Sequence, residues 1–396
     1  MRRVSVLIPR QDEAVAAPTP SAHPPRAHSP FDQPPVLRAR RGAPATHPVH
    51  ATKRKVARPR QRVWRVVGAI LLALMGSLAV PGVRNFLVDL VLYNPDNLLP
   101  VQEANTVQRT VHVAWGVLKI SVPVRRGTIV SYALGSAVLA RQPVRTIYLY
   151  LPPGYSQPAN RGRHYPVVYL LHGAPGGPQD WLRGAHVNVI ADELIAAGQM
   201  QPAILALPDG TGGQWRDSEY VNKFNGRDRE MDYLVATVTP WVDRHFRTIP
   251  RATGRALGGL SMGGFGAYNV GLHHPRVWRT LFSISGYFAA DRGEVFGAND
   301  PLGRNRRFRL ANSPTHYIAG VAGVRRMHLL IEDSTADWGG YTQKALAFDA
   351  ELTRLDIPHT LDLHHPSGLV IWDHSWAYWK LALRNALIYC SNSFGH

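Results

Sequence analysis

One cysteine, Cys390, stands in 396 residues. No intrachain disulfide can form, so the fold does not rest on covalent staples, and an extracytoplasmic location stays open. Cys390 falls near the end of an expected terminal helix, an inert position for a thiol. Metal-ligand spacings are also missing. His273-His274 and His364-His365 are adjacent pairs, whose side chains diverge, and no further ligands cluster beside them. No metal and no cofactor is expected. There is no zinc-finger spacing, no RNA-binding aromatic motif and no heptad-plus-basic pattern. Acidic residues are few: 27 Asp/Glu face 45 Lys/Arg, a formal net charge of +18. The excess is uneven. Residues 1–65 hold 14 Lys/Arg against 3 Asp/Glu, and residues 66–396 hold 31 against 24. Most of the surplus sits on an extension, which argues against a specific nucleic-acid site on the folded part.

Residues 1–65 also hold 11 of the 31 prolines and show little hydrophobic periodicity. Such a segment buries too little apolar surface to offset chain entropy, and a disordered basic extension is expected. Residues 66–83 carry no charge. At about 1.5 Å per residue they span about 27 Å, close to the hydrocarbon core of a bilayer. This predicts a transmembrane signal anchor. The basic residues before it would stay cytoplasmic and the rest of the chain would lie outside. Ser77-Leu78-Ala79 has the small-x-small form of a cleavage site, so release near Ala79 would give a secreted protein. Residues 84–105 read as a linker.

From residue 106 to 396 the pattern is that of one catalytic domain. Thr106–Val122 alternates, with Val107, Val111 and Val113 on one side, as a half-buried strand would. Strands are expected at Thr128–Leu134, Val144–Leu151, Tyr165–Leu171, Ala203–Pro208, Thr280–Ser285, His328–Ile331 and Thr360–Leu363. Helices fit Val187–Ala197, Asp232–Phe246, Thr342–Arg354 and Ser375–Ile388. Strands alternating with helices predict a mostly parallel sheet with helices on both faces, the α/β class.

The most informative stretch is RALGGLSMGGFGAYN, residues 255–269. Gly259-Leu260-Ser261-Met262-Gly263 has the G-x-S-x-G form of a nucleophile elbow. A short small-residue strand runs into the turn and a helix runs out of it. The nucleophile then occupies a strained position, and a side chain at either glycine would collide with the turn. A serine hydroxyl is a weak nucleophile at neutral pH. It needs a histidine base, and the histidine needs a carboxylate to fix its tautomer. The chain order expected in this architecture is Ser, acid, His.

The acid should follow the strand that starts at His328. Glu332, Asp333 and Asp337 compete; the first two end the strand, and Asp337 on the following loop is preferred over Asp333. The histidine should follow the last strand. His374, on a loop before the terminal helix, is preferred over His364 and His365, which lie in or at the edge of that strand. The oxyanion needs two amides, expected from Met262 and Ala174, with Gly173 as the alternative. His172 shapes the wall at the end of its strand. Asp209, Trp215, Asp217 and Tyr220 are expected on a loop lining the substrate cleft, with Trp338 and Trp376 beside the acid and the histidine.

Three separated segments carry a family resemblance: YPVVYLLHGAPGG (165–177), RALGGLSMGGFGAYNVGLHHPRVW (255–278) and DHSWAYW (373–379). Over roughly residues 127–390 the chain resembles the esterase family of α/β-hydrolases that takes in esterase D, feruloyl esterases and mycobacterial mycolyltransferases. The resemblance implies the α/β-hydrolase fold and the triad Ser261, Asp337 and His374. Asp337-Trp338-Gly339-Gly340 matches the acid-Leu-Gly-Gly of mycolyltransferases, which favours Asp337. Mycolyltransferases carry Asp-Gly-Leu-Arg in the oxyanion loop where this chain has His172-Gly173-Ala174-Pro175. Esterase D members are cytosolic and carry a cysteine near that loop, unlike this chain.

The expected function is therefore a serine esterase acting on a small-molecule or lipid ester at the cell envelope. An envelope acyltransferase moving an acyl group to a sugar or lipid alcohol is the alternative. A non-catalytic binding module on the same scaffold is a third reading, disfavoured by the presence of all three triad residue types.

Overall fold

The computed structural model describes residues 103–395, apart from 114–115, 213–216, 291–299 and 366–373. The basic extension, the apolar run 66–83 and most of the linker lie outside the described residues. Among the described residues no helix is long and apolar enough to cross a membrane.

Among the described residues ten strands run in chain order: β1 (Thr106–Val113), β2 (Gly116–Pro123), β3 (Thr128–Gly135), β4 (Val144–Leu151), β5 (Val167–Leu171), β6 (Ile204–Pro208), β7 (Arg255–Leu260), β8 (Thr280–Ile284), β9 (His328–Ser334) and β10 (Thr360–His364). Eight form one sheet in the order β10-β9-β8-β7-β5-β6-β4-β3. The six from β5 to β10 are parallel, and β4 and β3 extend the edge antiparallel. The longer helices are α1 (Val187–Ala197), α2 (Thr239–His245), α3 (Met262–His273), α4 (Tyr341–Arg354) and α5 (Trp376–Ser393).

Side-chain alternation along the sheet divides the core into two layers. Val167, Tyr169 and Leu171 of β5 pack with Tyr268 of α3 and Phe348 of α4. Val168 and Leu170 pack on the other face with Ile190 of α1 and Trp379 and Leu383 of α5. Strands covered on both faces need no polar alternation, and every residue of β5, β6, β7 and β8 is buried. Each fully buried Val or Leu contributes roughly 1.5–3 kcal/mol from removal of apolar surface.

Three sequence expectations are corrected here. Thr106–Val122 is not one strand but a hairpin, β1 against β2, standing apart from the main sheet. The alternation of Val107, Val111 and Val113 survives in β1, yet β2 is almost wholly exposed. The helical stretch near residues 230–245 is broken in register. A π turn spans Tyr233–Val238 before α2, and Thr239 Oγ1 donates to the Leu234 carbonyl at 2.9 Å. Finally β9 does not end at Ile331. It continues through Ser334, so Glu332 and Asp333 are sheet residues, paired with Asp362 and Leu363 of β10.

Candidate active site

Parallel strands bring the ends of β5, β7, β8 and β9 to one edge of the sheet, where open α/β sheets place their sites. β7 lies between β5 and β8, so whatever follows its last residue stands at the middle of that edge. Ser261 is that residue. Its backbone has φ 52° and ψ −119°, a strained conformation for a residue with a side chain. The turn is held by the Ser261 amide donating to the Ile284 carbonyl at 2.9 Å. The flanking glycines are required by space. A Cβ on Gly263 would lie 2.1 Å from the Leu171 carbonyl oxygen, and one on Gly259 would lie 2.5 Å from the Gly263 backbone. Both obstacles are main chain and cannot swing aside.

His374 reaches Ser261 from the segment ahead of α5. Its Nε2 is 3.2 Å from Ser261 Oγ, and its Nδ1 is 2.9 Å from Asp337 Oδ2. The side chains of His374 and Asp337 are fully buried. The structure thus brings the preferred acid and histidine together. His364 does not compete: its ring stacks on Tyr378 at 5.5 Å. Ser261 is only 5% exposed, with the loop at Gly173 and His374 closing in on it.

The tautomer follows from the contacts. A carboxylate at Nδ1 calls for a proton there, leaving Nε2 to accept from the serine hydroxyl. Two aromatic rings fix the imidazole. Tyr341 stacks on it with ring centroids 4.4 Å apart at 25°, and Trp379 meets it edge-on at 5.1 Å. Trp379 Nε1 donates in turn to Ser285 Oγ at 3.2 Å. Sequence reasoning did not single out Tyr341. The signal was the preceding Gly339-Gly340 pair: both residues take positive φ, 83° and 79°, and turn the chain into α4 beside the histidine.

Met262 is the first residue of α3, so its amide belongs to the first turn, where donors have no intrahelical acceptor. The opposing loop lies close. A Cβ on Gly173 would meet Leu260 Cδ1 at 2.6 Å and Ser261 Cβ at 3.5 Å. Ala174 follows on the same loop, which is tightened by the Gly176 amide donating to the Gly173 carbonyl at 3.0 Å.

The other expected cleft residues separate into distinct positions. His172 is 1% exposed. It accepts at Nε2 from the Gly210 amide at 3.2 Å, while Nδ1 faces the Gly173 carbonyl at 3.0 Å. It therefore ties the loop after β5 to the loop after β6 and faces no open space. Asp209 closes its own turn by accepting from the amides of Thr211 and Gly212 at 2.9 and 2.8 Å. Burial raises the Asp209 carboxyl, but His172 and those amides outweigh it and hold it below the ordinary carboxylate range. Arg145 Nη1 lies 3.7 Å from Asp209 and Nη2 lies 2.8 Å from Glu230. Tyr220 is fully buried and donates to the His172 carbonyl at 3.0 Å. Asp217 accepts from the Glu219 amide at 3.0 Å, and burial pushes its carboxyl up to about 6. Trp376 is 3% exposed and packs edge-on against Trp181 and Trp379 under the site. Trp215 lies outside the described residues, and Trp338 opens the short turn Trp338–Gly340 after Asp337.

A second carboxyl stands beside the acid. Asp333 is fully buried, and burial first, then the neighbouring Asp337, pushes it up to about 8. Among the described residues no group of three or more His, Cys, Asp or Glu is placed to hold a metal. Cys390 is buried, and burial raises its thiol far above the usual range.

Comparison with known proteins agrees with this architecture. An esterase of Mycobacterium tuberculosis is 38% identical over 125 residues, 32% of this chain and 26% of that protein. The chain spans about a quarter of the length of the mycobacterial relatives it matches. A ferulic acid esterase structure superposes with a TM-score of 0.58 at 23% identity, covering 68% of this chain and 100% of the other. An S-formylglutathione hydrolase from Agrobacterium tumefaciens gives 0.55 at 18% identity, covering 74% and 100%. At these identities the two structures attest the α/β-hydrolase fold. The model of the family described as "Putative esterase" matches residues 140–390, well over half of the chain, and the protein belongs to that esterase family.

Proposed function

We propose that this chain is a serine esterase that hydrolyses carboxylic esters through an acyl-enzyme on Ser261, His374 and Asp337. The observation that carries the reading is the continuous hydrogen-bonded series from Ser261 Oγ through His374 to Asp337, at 3.2 and 2.9 Å. Ser261 Oγ attacks the ester carbonyl while His374 Nε2 takes its proton. Asp337 holds the Nδ1 proton and stabilises the imidazolium. The oxyanion sits between the amide of Met262, at the start of α3, and that of Ala174 or Gly173. Collapse breaks the C–O bond, and His374 returns the proton to the leaving alcohol. Water, activated by the same nitrogen, then attacks the acyl-enzyme and releases the acid. None of these steps calls on a metal or cofactor.

The test is hydrolysis of p-nitrophenyl esters of increasing acyl length by the full chain and by Ser261→Ala. The reading predicts turnover that depends on Ser261. A folded variant that kept wild-type turnover would overturn it. An acyltransferase reading draws on the His-Ser-Trp-x-Tyr-Trp segment, residues 374–379, and predicts that a sugar or lipid alcohol outcompetes water for the acyl-enzyme. Product partition between free acid and new ester decides between the two. The uncharged run 66–83 behind a basic segment supports an envelope location, with the catalytic part outside. Protease accessibility in intact cells tests it: protection of the catalytic part would refute it.

A further inference from the structure

The turn after β9 folds back on its own strand. The Ser334 carbonyl accepts from the Asp337 amide at 3.0 Å and from Thr342 Oγ1 at 2.6 Å. That four-residue turn sets the Asp337 carboxyl against the Asp333 carboxyl, within hydrogen-bonding reach. Each group has one oxygen committed. Asp337 Oδ2 faces His374 Nδ1, and Asp333 Oδ1 accepts from the Ser334 amide at 2.7 Å. Each also has one oxygen left over. Asp337 Oδ1 and Asp333 Oδ2 are both buried with no hydrogen-bond partner among the described residues.

Two neighbouring buried carboxyls, each with an oxygen that lacks a donor, are costly, and two like charges that close are costlier. A single proton between them removes both penalties. We propose that Asp333 is a positioning residue, a neutral carboxyl whose O–H donates to Asp337 Oδ1 and thereby aims Asp337 Oδ2 at His374. The proposal rests on the Ser261–His374–Asp337 reading. The proton belongs on Asp333, because Asp337 Oδ2 is already engaged as the acceptor facing His374 Nδ1.

The surroundings agree. Lys344 of α4 is the cation acting on Asp333, too weakly to offset burial. Tyr378 of α5 faces the same acids, but among the described residues its hydroxyl makes no hydrogen bond and so does not supply the missing donor. Glu332, the preceding residue, is raised by burial and by Asp362, and it adds negative charge rather than removing it. The arrangement predicts a group that ionises on the alkaline side and loses its hydrogen bond when it does.

The experiment compares kcat and KM of the full chain, Asp333→Asn and Asp333→Ala from about pH 5 to about 10, with Ser261→Ala alongside. Asparagine keeps an N–H aimed at Asp337 Oδ1 and cannot ionise. Wild type should show an alkaline fall in kcat, and D333N should stay within about threefold of wild type near neutrality and lose that fall. D333A should lose about tenfold or more in kcat with KM unchanged, since Asp333 does not touch substrate. Wild-type kcat and pH dependence in D333A would overturn the proposal, as would a D333N enzyme as impaired as D333A. If D333A does not fold, the D333N profile decides alone, and a retained alkaline fall overturns the proposal. An inactive S261A beside unaffected Asp333 variants sinks this inference only; an active S261A sinks the nucleophile assignment itself.

Discussion

Tyr341 lies flat on His374, with ring centroids 4.4 Å apart and Lys344 Nζ 4.8 Å above the tyrosine ring on the same stack. The imidazole is thus held by a face as well as by its two ring-nitrogen contacts. An electron-rich face steadies the imidazolium formed during attack, and the lysine draws on the same ring. Tyr341→Phe keeps the face and should change kcat by less than about threefold. Tyr341→Ala should lower kcat about tenfold with KM little altered, because an unpinned imidazole misaligns a proton transfer. Steady-state kinetics on the two variants check it; equal effects would mean the hydroxyl, not the face, matters.

Trp379 holds the other side of the ring. Trp379→Phe keeps the aromatic edge but removes the donor to Ser285 Oγ. The lost hydrogen bond should cost about 1 kcal/mol of stability. The loss of kcat should be smaller than in Tyr341→Ala. Thermal unfolding and kinetics on one preparation separate the two effects.

The elbow tolerates no added methyl group. Gly263→Ala places a Cβ 2.1 Å from the Leu171 carbonyl oxygen. Either the strand or the first turn of α3 must shift, and the second choice moves the Met262 amide. Unfolding should lose a few kcal/mol, and residual folded enzyme should lose kcat. An alanine variant with wild-type melting temperature would contradict the packing described.

Arg145 stands between two carboxyl groups, the buried Glu230 and the half-buried Asp209. Removing it leaves the buried Glu230 without its cation, so Arg145→Met should destabilise most above pH 7, where Glu230 is ionised, by about 3–5 kcal/mol. Denaturant unfolding measures this.

Glu230 itself predicts a pH effect. Burial pushes its carboxyl from 4.5 to about 7 although Arg145 pulls the other way. A carboxyl raised in the fold favours the neutral form. Its stabilising contribution is complete below the ordinary value of 4.5 and is lost as pH rises toward 7. Melting temperature should therefore fall across that window. Glu230→Gln should flatten the fall, and an unchanged slope in that variant would assign the effect elsewhere.

Much of the site was legible in the chain itself. Gly259-Leu260-Ser261-Met262-Gly263 carries its geometry locally, because strand, turn and helix are contiguous and steric exclusion acts between near neighbours. The buried run of β5 and the strand–helix alternation likewise follow from period and composition. The preference for Asp337 over Asp333 needed more. Its local basis, a loop position after the strand, presumed a strand ending at Ile331, whereas β9 continues through Ser334. Asp337 meets His374 because the turn at Ser334 folds it back, and Asp333 meets Asp337 through the same turn.

The sequence by itself determined which residues could do the chemistry and their order, since those depend on residue type and on contacts a few positions apart. Tertiary structure alone decided that the turn at Ser334 folds Asp337 back onto the histidine, that His172 and Asp209 spend their polar atoms on the scaffold, and that Tyr341 covers the imidazole. The reason is physical. Those outcomes depend on angstrom-scale register between segments far apart in the chain, where hydrogen bonds and buried charges choose among several residues of the right type.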